Sequence, residues 1–328
     1  MAILVIYTEL LLGTAIAHTR QRSACNRQEP FTKRLHTASC TQDDAAAVSQ
    51  SESRPTEAEL ESLSAACARL WDLDSNRLVP GRDYVLDVGG GKKAYWSDDK
   101  AAEPLFKHVE PNVFDLPTFR AFYDLLDNYN RECGVEEVVT RQEREENGHF
   151  LDVICETSVM KYAHIWLAMN GQASPDLKQF KRELHNLWFK LYRRSSSFDS
   201  SGFEHVFVGE VKHGKVTGFH NWIQLFLEEQ RGNIDYKGFI FPRRRGQEPD
   251  ENSQIMTIQF AWGAELKSVS STLIGVSPEF EIALYTMCFL SGNEDNFIEL
   301  AGYDVCIKCH SIGWGMIGSS YPIVVDEA

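Results

Sequence analysis

Apolar residues recur at helical spacing as far as Leu191, and from Phe203 onward they recur at every second position. A chain patterned this way buries helical stripes first and strand faces later, because the two periods place side chains on different surfaces. This predicts an α+β fold, with a helical part over 56–200 followed by antiparallel β-sheets over 201–328 that carry the chemistry. Regular alternation of strand and helix, the mark of a parallel sheet, is absent.

The helical part has readable punctuation. Thr56 and Glu59 form a capping box ahead of Leu60, Leu63, Cys67 and Leu70, and Trp71 extends that stripe. Pro117 opens a stripe of Phe119, Phe122, Tyr123, Leu126 and Tyr129, and Thr140 with Glu143 offers a second box. Ser174-Pro175 opens a helix carrying Leu177, Phe180, Leu184, Leu187, Trp188 and Leu191. A short strand is expected over 84–88, and the glycine run 89–93 reads as a turn, since it lacks the spacing of a phosphate loop. Later strands are expected at 203–211, 216–219, 234–241, 255–262, 269–276, 303–307 and 316–325, with helices at 221–230 and 278–290.

A formal net charge of −14 over 328 residues excludes a protein that coats nucleic acid, because such binding comes from Lys and Arg neutralising phosphates. Residues 1–17 hold an apolar run ending in Ala15-Ile16-Ala17, a signal-peptidase-like site, although no Lys or Arg precedes it; secretion is the expectation. Residues 18–55 are too poor in large apolar groups to order themselves and read as a disordered leader. No other segment is long and apolar enough for a membrane span, and a monomer without a membrane partner is expected.

Cys25 and Cys40 fall in the leader and are available to pair in a secreted chain, whereas Cys67, Cys133, Cys155 and Cys288 sit in apolar helical patterns and read as core thiols. Cys306, Cys309 and His310 form a lone CxxCH. Without a second ligand pair it is a weak zinc signal, and without a small-cytochrome context it is a weak haem signal.

Two histidines carry the chemistry. As part of an alternating strand, His205 shares a face with Phe203 and Phe207, while Glu204 and Glu210 share the other. Taken alone, His205 reads as a core histidine. Residues 212–215 form a tight hairpin turn, however, and the return strand delivers His220 at the mouth of a helix, which brings both rings to one end of the hairpin. The helix end disfavours imidazolium at His220, as a general base requires. Two histidines of opposite protonation suit a transesterification, and the charge developing on phosphorus then needs a cation.

From Thr56 onward the chain resembles the poly(U)-specific endoribonuclease family, the EndoU or XendoU group, over about 270 residues. The resemblance is carried by GFEHVFVGE at 202–210, GFHNW at 218–222, IGVSPEFE at 274–281 and GSSYP at 318–322. It implies cleavage of single-stranded RNA at uridylates through the ribose 2′-hydroxyl, leaving 2′,3′-cyclic phosphate ends. The catalytic residues it implies are His205, His220 and Lys267, with His220 as base, His205 as acid and Lys267 facing the phosphorane; Lys267 is placed just ahead of the strand leading to Ile274. Glu204 and Glu210 are implied to support activity.

Ser319 or Ser320, together with Tyr321, is implied to contact the base, in two registers that the sequence leaves open. A dependence on manganese, or on calcium in some animal members, is also implied. Glu204 and Glu210 are suitable oxygen ligands, yet no ion site can be located, and Glu210 serves equally well to orient a histidine. The segment 303–315, with Cys306, Cys309 and His310, departs from the family pattern, and with Cys25 and Cys40 as the only leader cysteines a somatomedin-B-like module ahead of the domain is not expected. A second reading is an RNA-binding protein without activity. Lys181, Arg182, Arg193, Arg194 and Arg243-Arg244-Arg245 are candidates to track a phosphate backbone in either case. A protease has little support, because neither GxSxG nor HExxH occurs.

Overall fold

The computed structural model describes residues 53–242, 247–313 and 315–325. The expectations for residues 1–17, for the leader up to residue 52, for Cys25 and Cys40, and for Arg243 to Arg245 lie outside the described residues. Ser53 and Pro55 are already buried.

Helices α1 (Glu57–Glu61) and α2 (Leu63–Leu73) follow. Thr56 makes the capping box with Glu59, but Ser62 caps a second helix, so the expected single stripe is broken in two. Strands β1 (Tyr84–Leu86) and β3 (Phe106–Val109) pair antiparallel. Between them β2 (Gly91–Lys92) runs parallel to a later strand, which corrects the reading of 89–93 as turn throughout. Lys92 is drawn in because its buried ammonium donates to Gln259 at 2.6 Å and to the Asp98 carbonyl at 2.8 Å.

Helix α3 (Pro117–Tyr123) stops short of Leu126 and Tyr129, whereas α4 (Arg141–Ile154) carries the expected Thr140–Glu143 box. Helix α5 (Ser158–Met169), capped by Thr157, is absent from the sequence expectations. Helix α6 (Leu177–Trp188) is capped by Asp176 rather than opened by Ser174-Pro175. Its buried stripe is Phe180, Leu184, Leu187 and Trp188, with Leu177 exposed and Leu191 beyond its end.

The second part begins with a π-helical turn (Glu204–Val208), then the hairpin β4 (Glu210–Lys212) and β5 (Lys215–Thr217) and helix α7 (Trp222–Gln230). Strands β6 (Ile234–Ile240), β7 (Ile255–Trp262) and β8 (Glu265–Leu273) form an antiparallel run extended by β2, in the order β2-β6-β7-β8. Helix α8 (Pro278–Ser291) leads to an antiparallel sheet ordered β11-β10-β9, made of β9 (Asp295–Leu300), β10 (Tyr303–Ser311) and β11 (Ile317–Val324). Helices gather early and antiparallel pairing dominates later, so the fold is α+β.

The core is continuous from helices to sheets. Phe122 of α3 lies 5.5 Å from Phe203 and 5.7 Å from Phe207 between ring centroids, and Trp188 lies 5.3 Å from Phe207. Each such ring, fully buried, contributes on the order of 2 kcal/mol from removal of apolar surface. Cys67, Cys155 and Cys288 are buried, whereas Cys133 is only half-buried and lies in a turn outside any helix, its N–H donating to the Val211 carbonyl. Among the described residues, no helix is long and apolar enough to cross a membrane.

Candidate active site

Residues 202–211 are all buried, so alternation of apolar and polar types does not distinguish strand from helix there. Residues 202–208 are helical, which corrects the first part of the strand expected over 203–211, while its end at 210–211 belongs to β4. Phe203 and Phe207 meet at helical spacing, 5.1 Å between ring centroids, and Ser201 starts the turn by accepting from the Glu204 N–H through Oγ at 3.1 Å. The Gly209 N–H closes the turn on the Glu204 carbonyl at 2.8 Å. Gly209 has φ +90°, and a Cβ there would meet the Phe219 ring at 2.3 Å. The chain therefore turns tightly at Gly209 and sets the Glu210 carboxylate against Nδ1 of His205.

The expected hairpin is present, turning at His213 and Gly214 with φ of 52° and 70°, as a two-residue primed turn requires. Its return brings Phe219 N–H to the His205 carbonyl at 3.0 Å and His220 N–H to the Val206 carbonyl at 2.8 Å. Asn221 then caps α7 by accepting from Gln224 N–H at 2.9 Å. Lys267 lies inside β8, two residues past its start, and not ahead of the strand as expected. Its ammonium donates to the Gly218 carbonyl at 2.6 Å. His205, His220 and Lys267 line one cavity of about 970 Å³, together with Ser319 and Tyr321 of β11.

Burial suppresses protonation of both rings, to unlike degrees. His220 Nδ1 lies 3.0 Å from the Ser271 carbonyl, which can only accept, so Nδ1 carries the proton and Nε2 keeps its lone pair. Burial first, and the Lys267 charge second, hold His220 well below the ordinary 6.5. Burial also lowers His205, but the bond to Glu210 opposes it. His205 is thus the ring held closer to protonation. The carboxyl of Glu210 is raised by burial and, more strongly in sum, lowered by His205 and Arg194, so it stays charged. Burial brings Lys267 down to about 8.

Arg194 backs this arrangement. Its Nε is 3.2 Å from the Glu210 carboxylate, and its guanidinium donates to Ser200 Oγ at 2.9 Å and to the Gly318 carbonyl at 2.7 Å. It ties the carboxylate behind His205 to the strand bearing Ser319, and it is committed inside the protein rather than tracking phosphate. Glu204 departs from expectation as well. It faces the interior, away from the cavity, neither carboxyl oxygen has a hydrogen-bond partner, and burial followed by Glu210 pushes it up to about 10.

The profile of the family described as Endoribonuclease XendoU matches residues 62–322. The chain belongs to the XendoU endoribonuclease family. It is 48% identical over 271 residues to "Uridylate-specific endoribonuclease B" of Danio rerio, covering 80% of this chain and 96% of that protein. Identity to "Poly(U)-specific endoribonuclease-A" of Xenopus laevis is 45% over 277 residues, covering 80% and 94%. A solved structure, "The structure of XendoU: a splicing independent snoRNA processing endoribonuclease", is similar with a TM-score of 0.71 and 44% identity, covering 80% of this chain and 97% of that one.

In this XendoU endoribonuclease the two serines part company. Ser319 lines the cavity, whereas Ser320 is fully buried and donates to the Lys308 carbonyl at 3.1 Å. Tyr321 lies parallel to the His220 ring at 4.6 Å between centroids, 13° apart. Of the other candidate cations, Lys181 pairs with Asp152 and Arg182 with the Gln179 side chain. Cys306 and Cys309 are buried, and His310, next along β10, faces Tyr321 and Glu294.

A resident manganese or calcium ion does not fit the described residues. No three of their His, Cys, Asp or Glu side chains converge on one point. Glu204 is held protonated, and Glu210 is engaged by His205 and Arg194.

Proposed function

We propose that the protein cuts single-stranded RNA at uridylates by driving the ribose 2′-hydroxyl onto the adjacent phosphorus. The observation that carries this reading is the convergence of His205, His220 and Lys267 on one cavity, with protonation suppressed more strongly at His220 than at His205. Nε2 of His220 takes the 2′-hydroxyl proton as O2′ bonds to phosphorus. The P–O5′ bond breaks, and His205 gives its proton to O5′, which leaves a 2′,3′-cyclic phosphate on one product and a 5′-hydroxyl on the other. The Lys267 ammonium meets the negative charge that grows on the non-bridging oxygens. Glu210 is a positioning residue that keeps His205 ready to donate, with Arg194 behind it.

Uracil sits beside Tyr321 with Ser319 at its edge. The names of the Danio rerio and Xenopus laevis relatives support this base preference. We further propose that manganese or calcium raises activity; no step above runs through an ion, and rates measured after chelation and after adding back each ion test that dependence.

His205→Ala and His220→Ala should each lose at least about 100-fold in rate, the scale usual for a general acid or base, with the circular-dichroism signal of the fold retained. Unfolding of both variants would make them core histidines and overturn the assignment.

A further inference from the structure

The pairing of β10 with β11 sets His310 opposite Ser319 and Lys308 opposite Tyr321. Directly opposed residues of an antiparallel pair point to the same side of the sheet. His310 therefore stands on the cavity side with Ser319 and Tyr321 and lines the cavity, while Cys309 and Ser320 point the other way and meet at 3.5 Å.

The His310 ring is held at both nitrogens. Nδ1 lies 2.9 Å from a carboxylate oxygen of Glu294, and Nε2 lies 3.4 Å from the Tyr321 hydroxyl. A carboxylate only accepts, so Nδ1 carries a proton, and in the neutral tautomer the lone pair lies on Nε2. The side chain is 41% exposed, leaving room for a ligand edge.

We infer that His310 selects uracil over cytosine, its Nε2 accepting the uracil N3–H in place of its long contact with the Tyr321 hydroxyl, while the Ser319 hydroxyl donates to a neighbouring carbonyl oxygen. The assignment depends on uracil being seated beside Tyr321 as proposed. Uracil presents N3–H between two carbonyl oxygens. Cytosine presents a bare N3, whose lone pair would face the lone pair of Nε2, and an amino group in place of one carbonyl. A polar site built for one edge discriminates against the other because its groups are left unpaired.

The test compares kcat/KM on two RNAs that differ only in carrying a single uridine or a single cytidine. The ratio does not depend on how much of a variant is folded. His310→Leu should lower the uridine-to-cytidine ratio about tenfold or more, the worth of one hydrogen bond left unmade. His310→Gln, whose amide both donates and accepts, should lower it less and raise cutting at cytidine. An unchanged ratio in His310→Leu, including equal losses on both RNAs, would overturn the inference. Ser319→Ala and Tyr321→Ala separate the two levels. If they shift the ratio while His310→Leu does not, only the role of His310 fails; if none of the three shifts it, the seat of the base is wrong.

Discussion

Gly218 lies directly over the backbone of His205, so close that a Cβ at Gly218 would stand 1.8 Å from the His205 carbonyl oxygen. Its φ of +62°, and the 63° of Phe219 beside it, let the segment carrying His220 cross the turn carrying His205. The crossing that brings both histidines to one cavity thus rests on a backbone contact that only glycine permits. Gly218→Ala should force that contact apart, costing about 1–3 kcal/mol of stability from strain and at least about 100-fold in rate. Thermal melting and single-turnover cleavage check it, and a normal rate would show that the crossing does not set the geometry.

Glu210→Gln tests the acid. Burial lowers the His205 pKa and Glu210 raises it, so removing the carboxylate should lower it further. Above the pKa, each unit lost costs about tenfold in the protonated fraction. The alkaline limb of kcat/KM should therefore move to lower pH, while the acid limb, belonging to His220, stays in place. A profile that only shrinks in height would leave Glu210 with a structural role alone.

Glu204 should act on stability. Its folded pKa of about 10 lies above the ordinary 4.5, so its contribution is fully present below 4.5 and is lost as pH rises toward about 10. Asp74, raised to about 7, and Glu281, raised to about 8, act with the same sign. The thermal midpoint should fall across that window, and Glu204→Gln should flatten the fall. Equal slopes for wild type and variant would mean that the Glu204 carboxyl is not held neutral.

Capping boxes at Thr56 and Thr140, the tight hairpin and the strand Ile255–Trp262 were legible because each is a local rule of spacing or turn chemistry. The turn bearing His205 was not, since burial on every side erases the period, and Phe203 and Phe207 satisfy a strand and a helix alike. Helix α5 is apolar around most of its surface, which hides its stripe. Arg194 meets Glu210 only after the chain has folded back, so nothing in the sequence marks the pair. Choosing Ser319 over Ser320 likewise needed the register of β10 against β11.

Lys267→Gln separates charge stabilisation from simple attraction. An ammonium that meets charge greatest in the transition state should affect kcat much more than KM, and Lys267→Arg should recover only part of the rate because its planar fork places donors differently. In wild type the ammonium loses its proton as pH rises through about 8, so a fall in kcat there should be absent from Lys267→Gln. A variant with near-normal saturated rate would remove Lys267 from the catalytic centre.

The attack of the ribose 2′-hydroxyl is tested most directly by product analysis on a short RNA containing one uridine, run beside the same RNA with a 2′-O-methyl group on that uridine. The unmodified RNA should be cut once, on the 3′ side of the uridine, into a fragment ending in a 2′,3′-cyclic phosphate and a fragment beginning with a 5′-hydroxyl, and the methylated RNA should remain whole. Efficient cutting of the methylated RNA, or fragments beginning with a 5′-phosphate, would contradict the mechanism.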